Sequence, residues 1–68
     1  MPHNACYYTA NDRDSGQKFY RYCRQASDAA ESAFINAVLA RLNVTSADNA
    51  INFGRRDSEP QGGNWQLI

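Results

Sequence analysis

The sequence has little of what catalytic and metal sites are usually built from. Its 68 residues include one histidine, His3, and two cysteines, Cys6 and Cys23. These three side chains are one ligand short of a closed tetrahedral zinc site, and no Cys-x-x-Cys pair occurs. A lone histidine near the N-terminus is poorly placed for Cys–His or Ser–His–Asp catalysis. We therefore expect no metal site, no cofactor and no enzymatic activity.

Long apolar runs and an excess of one charge are also missing. The longest apolar stretch, residues 37–40, is far shorter than the ~20 residues of a membrane span. The N-terminus lacks the basic segment followed by an apolar run that marks a secretion signal. Seven basic and seven acidic side chains cancel, so the strong positive field of non-specific nucleic-acid binders is absent. These features favour a cytoplasmic protein without membrane contact, and any nucleic-acid contact would be local.

The first third of the chain predicts a β-hairpin over residues 5–26. Residues 5–10 and 18–26 are rich in strand-forming side chains, and residues 11–17 carry turn chemistry. With the turn centred on Asp14-Ser15, residues whose numbers sum to 29 face each other, and a slip of one residue would change every pair. That register places Cys6 opposite Cys23, which leaves open whether the two thiols form a disulfide or stay reduced, as the cytosol favours.

Alternation then divides the hairpin into two faces. The compact apolar side chains on one face suit packing under a helix; they are Cys6, Ala10, Phe19 and Cys23. The other face carries Tyr7, Tyr20 and Tyr22 and is predicted to point outward. Arg21 lies on the inner face, so it must reach an edge of the sheet or pair with an acid such as Glu31.

The period changes to that of a helix after residue 27. Ser27 or Asp28 is a suitable N-cap, and Asp28 with Glu31 resembles a capping box. Apolar residues recur at helical spacing to residue 42, and Asn43 is a suitable C-terminal cap. We expect one helix over residues 28–42.

Residues 49–68 predict a second hairpin with a flexible loop over residues 54–63, where glycines and a proline stand among charges. Ile51 and Phe53 share one face of its first strand. The whole chain, residues 1–68, is then a single α+β domain of ββαββ order. Its one helix packs on a small, mostly antiparallel sheet.

A basic and aromatic surface is the main candidate for function. Tyr7, Lys18, Tyr20, Tyr22 and Arg24 are predicted to share the outer face, and Arg55 and Arg56 lie on the predicted loop. Tyrosine and arginine are typical of protein interfaces, whereas aromatic side chains among cations can also stack nucleic-acid bases. A third interpretation is that tyrosine is present only as a good strand former.

The first part of the chain has a distinctive layout: Tyr7-Tyr8 on a first strand, the turn from Asn11 to Gly16, a short second strand, and an alanine-rich helix that opens at Ser27. In these features it resembles certain small phage-encoded anti-CRISPR proteins that inhibit type I systems. The features cover about residues 7–40. The resemblance implies a ββαββ domain that docks on a crRNA-guided surveillance complex, and it carries over no individual residue.

We therefore expect a non-enzymatic inhibitor that binds a protein or ribonucleoprotein partner, acting in the bacterial cytoplasm if it is phage-encoded. Two alternatives remain open. One is a small nucleic-acid-binding module that uses the basic and aromatic face, and the other is a structural or adaptor protein that works as a homodimer.

Overall fold

A computed structural model describes residues 6–45 and 50–68 of the chain. His3 and the predicted strand starts at residues 5 and 49 lie outside the described residues. The order of elements is strand, strand, helix, strand, strand, as predicted. The elements are β1 (Cys6–Asp12), β2 (Lys18–Cys23), α1 (Asp28–Leu42), β3 (Ile51–Arg56) and β4 (Trp65–Leu67).

The first two strands form the predicted antiparallel hairpin in the predicted register. Cys6 lies opposite Cys23, and Tyr7 lies opposite Tyr22. The turn is fixed by Asp12, whose carboxylate accepts hydrogen bonds from the Ser15 hydroxyl at 2.6 Å and the Ser15 N–H at 3.2 Å. Because these bonds stabilise the ionised carboxylate, the pKa of Asp12 is lowered.

The helix begins and ends at capping residues. The Ser27 hydroxyl accepts a hydrogen bond from the Ala30 N–H at 3.1 Å, so Ser27 is the N-cap and the suggested Asp28–Glu31 capping box is wrong. Asn43 caps the C-terminus in the left-handed conformation, with φ 58°. In the part of the chain that the structure describes, no helix is long and apolar enough to cross a membrane.

The helix packs on one side of the sheet, called the helix side below. Its buried residues Phe34 and Val38 meet the buried strand residues Cys6, Tyr8, Ala10, Phe19 and Cys23. The inner face predicted for the hairpin is therefore confirmed. Arg21 does reach an edge, but its Nε donates to the Ile68 main-chain oxygen at 3.0 Å rather than pairing with Glu31.

Tyr8 is the largest side chain in this core and links it to the helix start. Its ring lies 5.9 Å from the Phe34 ring and 5.8 Å from the Phe53 ring, measured between centroids. Its hydroxyl donates to the Ser27 carbonyl at 3.3 Å and accepts from the Ser27 N–H at 3.2 Å. A buried phenol needs such partners, and here they fix where the helix begins.

The second hairpin predicted over residues 49–68 is wrong. The strand order in the sheet is β3-β1-β2-β4, so β3 and β4 occupy opposite edges. β3 pairs antiparallel with β1, whereas β4 pairs parallel with β2. β3 also continues through Gly54, Arg55 and Arg56, which the sequence had suggested were loop, because charged side chains are well tolerated on an edge strand.

Candidate partner-binding surface

The side of the sheet opposite the helix carries most of the predicted site and is called the outer side below. The strand pairings place Tyr7, Lys18, Tyr20 and Tyr22 on it, and Arg56 joins them opposite Tyr7. Tyr7 is the hub of the tyrosines, because its ring centroid lies 5.3 Å from that of Tyr22 and 6.2 Å from that of Tyr20. These tilted geometries are favourable for aromatic pairs.

Trp65 on β4 belongs to the same surface, opposite Lys18. Its ring packs edge-on to Tyr20 with centroids 6.4 Å apart. Two cations lie over it: the Arg56 guanidinium carbon at 5.0 Å and the Lys18 Nζ at 5.6 Å from the ring centroid. Cation–π contacts of this kind occupy the cations, so Lys18 and Arg56 are partly engaged within the protein.

Residues 57–64 connect β3 to β4 and lie against this outer side; they are called the crossover segment. The Tyr20 hydroxyl donates to the Glu59 carboxylate at 3.1 Å, and Pro60 is buried. A Cβ added at Gly63 would lie 2.9 Å from the Lys18 Nζ. The outer face is therefore partly covered, because the segment predicted as a flexible loop bonds to Tyr20 and lies close to Lys18.

The packing has a clear geometric cause. β3 runs parallel to β4 at the far edge of the sheet, so the chain must return along the sheet and cross two strands before β4 begins. The helix side is filled by α1, which leaves the outer side for the crossing. Thr9, whose side chain faces outward on the same side between Gly54 and Tyr20, is 6% exposed.

One end of the outer side stays uncovered. Tyr22 is 51% exposed even though Tyr7 packs beside it. Arg24 is exposed and lies just beyond β2, which ends at Cys23 rather than at residue 26 as predicted. Because the neighbouring ring already restricts this tyrosine, its side chain loses little conformational entropy on binding. We call Tyr7, Tyr22 and Arg24 the open corner.

Arg55 is separated from its neighbour Arg56 by the alternation of β3. It lies opposite Tyr8, on the helix side, and it is exposed at the edge strand. The two arginines therefore lie on β3 and point to opposite sides of the sheet, instead of lying together on a loop as predicted. Arg55 is thus on the other side of the sheet from Tyr7 and Tyr22.

Tyr20 shows how the crossover segment changes the chemistry of the surface. The hydrogen bond to Glu59, helped by desolvation and by the carboxylate charge, raises the pKa of Tyr20. Its hydroxyl is thus directed at Glu59. Among the described residues no group of three His, Cys, Asp or Glu side chains is placed to hold a metal ion.

Trp65 is the residue that sequence reasoning missed. Its alternation with Leu67 was visible, but nothing local indicated that β4 pairs parallel with β2 and brings the indole to Lys18 and Tyr20. A pairing between strands so far apart in the chain leaves no short-range signal.

Comparisons with known proteins found no relative of this chain. No protein-family model matches the chain, and neither a curated protein nor a solved structure matches it.

Proposed function

We propose that this chain is a non-catalytic binding protein that inhibits a protein or ribonucleoprotein partner by docking on it through the open corner. The single observation that carries this proposal is the half-exposed Tyr22, braced by Tyr7 and followed by exposed Arg24. Tyrosine and arginine dominate the binding energy of protein interfaces. A braced aromatic ring beside a cation is therefore a ready anchor.

The distribution of cations favours a protein surface over bare nucleic acid as the partner. Lys18 and Arg56 lie over the Trp65 ring, and the chain as a whole has no net charge. Binding that depends on phosphates needs several cations directed outward. The open corner offers one cation, Arg24, which suits a few carboxylates or a local phosphate better than a nucleic-acid track.

The resemblance to anti-CRISPR proteins supplies the specific partner in this proposal. The partner is then a crRNA-guided type I surveillance complex, blocked in DNA access or in nuclease recruitment. Such a complex acts in the bacterial cytoplasm, where we place the protein. The role needs a rigid small body with one anchoring surface and no cofactor.

The test uses purified type I surveillance complex, treated with nuclease to remove free nucleic acid, and the tagged protein as bait. We compare the natural chain with Tyr22→Ala/Arg24→Ala and with the control Arg41→Ala, an exposed cation on α1. Loss of a hot-spot residue costs about 2 kcal/mol, or roughly thirtyfold in Kd. We expect capture by the natural chain and the control, and loss of capture by the double variant.

Two outcomes contradict the proposal in different ways. If the chain fails to capture the complex but binds a labelled single-stranded oligonucleotide, and if that affinity falls about tenfold or more between 50 and 200 mM salt, the protein is the nucleic-acid-binding module. Absence of any capture, together with a dimeric mass in solution, identifies the homodimeric protein.

A further inference from the structure

The two cysteines face each other at the last pair of the β1–β2 ladder. Cys6 is the pairing partner of Cys23, and both are buried free thiols on the helix side. The proposed partner surface uses neither of them. Because they end the ladder, fraying of the strand ends exposes them without unfolding the domain.

The strand register brings this pair within range of a covalent link. The Asp12 N–H donates to the Gln17 carbonyl at 2.8 Å, so the even-numbered residues of β1 are the ones that hydrogen-bond to β2. Alternation along the ladder makes Cys6 and Cys23 a pair of this type, for which Cα atoms lie about 5.5 Å apart. Disulfides span Cα distances of about 4.4–6.8 Å and bring the Cβ atoms to about 3.5–4.5 Å, so closure requires the two strand ends to move slightly closer at Cβ.

Cys23 also affects the ionisation of Cys6. Desolvation and then a hydrogen bond with Cys23 raise the pKa of Cys6, while the positive charge of Arg55 acts in the opposite direction. The Cys23 thiol donates to the Gln25 carbonyl at 2.9 Å. The register therefore sets the two cysteines opposite each other, and the charge of Arg55 favours the thiolate of Cys6.

We propose that Cys6 and Cys23 form a redox-active dithiol that closes into a cross-strand disulfide by exchange with a small-molecule disulfide such as oxidised glutathione. One cysteine thiolate attacks a glutathione sulfur, so a mixed disulfide forms, the glutathione S–S bond breaks and one glutathione thiolate leaves. The second cysteine thiolate then attacks the sulfur of the first cysteine, so the Cys6–Cys23 bond forms, the mixed disulfide breaks and the second glutathione thiolate leaves. The two thiol protons end on the two released glutathiones, and the two electrons reduce the oxidant.

Closure changes the stability of the domain in a measurable way. The disulfide would close the loop formed by residues 6–23, and cross-linking a loop of this length lowers the entropy of the unfolded chain. For a domain this small we expect Tm to rise by about 10–20 °C. The bond would also fix the register of the hairpin beside Tyr7 and Tyr22.

The test equilibrates the full chain with glutathione buffers that range from reducing to oxidising, followed by native alkylation and intact-mass measurement. We expect the oxidised chain to lose two hydrogens, to take no alkylating label, and to show the higher Tm. Cys6→Ala and Cys23→Ala serve as matched controls. Each keeps one thiol, so each should gain one glutathione and show no comparable rise in Tm.

The native chain alone decides the question, so a variant that fails to fold does not obscure it. Two thiols that still take label in the most oxidising buffer overturn the proposal. So does a stable adduct with one or two glutathiones, or a disulfide that links two chains and disappears on a reducing gel.

Discussion

The two sides of the sheet are covered by very different parts of the chain. On the helix side, Phe34 and Val38 of α1 lie on Tyr8 and Phe19, and all four are essentially inaccessible to solvent. On the outer side, the crossover segment, an irregular and polar stretch, lies on half-exposed aromatic rings. Apolar burial dominates folding free energy. The helix side therefore contributes most of the stability of the domain, and substitutions on the outer side should cost less.

The largest expected effect breaks the helix side. Phe34→Ala removes a fully buried ring and should cost about 3–5 kcal/mol, enough to unfold much of so small a domain. Tyr22→Ala on the outer side should stay within about 0.5 kcal/mol. Urea unfolding followed by circular dichroism measures both. Equal losses of unfolding free energy in the two variants would mean that both sides of the sheet contribute equally to stability.

A smaller effect tests how tightly β3 and β1 approach on the outer side. A Cβ at Gly54 would lie 2.8 Å from the Thr9 Oγ1, so Gly54→Ala should cost about 1–2 kcal/mol through overpacking. Thr9→Ala removes the clashing atom. In a double-mutant cycle read by thermal unfolding, Gly54→Ala should therefore cost much less in the Thr9→Ala background. Full additivity would show that the close approach is not the cause.

Matched tyrosine substitutions compare the two sides more finely. Tyr8→Phe removes the hydroxyl that bonds both main-chain groups of Ser27 and should cost about 1–2 kcal/mol. Tyr20→Phe removes only the exposed bond to Glu59 and should lower Tm less. Thermal unfolding of both variants provides the measurement. The opposite ranking would place the more important phenol on the outer side.

The smallest effect is electrostatic. The pKa of Tyr20 is raised, chiefly by the hydrogen bond to Glu59, so the phenol keeps its proton longer in the folded chain. This stabilising bond is fully present below the ordinary tyrosine pKa of 10.0 and is lost as pH rises through the higher folded value.

Ring NMR signals of Tyr20 during an alkaline titration report this ionisation. Glu59→Gln removes the carboxylate charge and should move the Tyr20 midpoint down, while Glu31→Gln on α1 should leave it in place. A midpoint that does not respond to Glu59→Gln would show that the crossover segment does not rest on Tyr20 in solution.

Local chemistry made half of this fold predictable. The hairpin register followed from a turn rich in Asp, Ser and Gly and from alternation on both strands. The helix bounds followed from Ser27 and Asn43. In each case neighbouring residues determine the structure, so the sequence around them contains the answer.

The second half failed because its pairings are distant. Gly54 looked like a loop residue, yet it lies within β3 where the strand passes close to Thr9. β4 has three residues and pairs with a strand more than forty positions earlier. Tyr7, Tyr20 and Tyr22 lie on the predicted side of the sheet. That the crossover segment covers part of this side could not be predicted, because it depends on β4 pairing at the edge of the sheet opposite β3.

The parallel pairing of β4 has a consequence for the order in which the domain assembles. The β1–β2 hairpin closes a short loop, so it can form early. β4 can pair only after β2 is in place and the crossover segment has passed across the outer side of the sheet. The Ile68 N–H, bonded to the Tyr20 carbonyl at 3.0 Å, belongs to this last step. Hydrogen exchange should therefore find it among the first amides to open, long before those of β1.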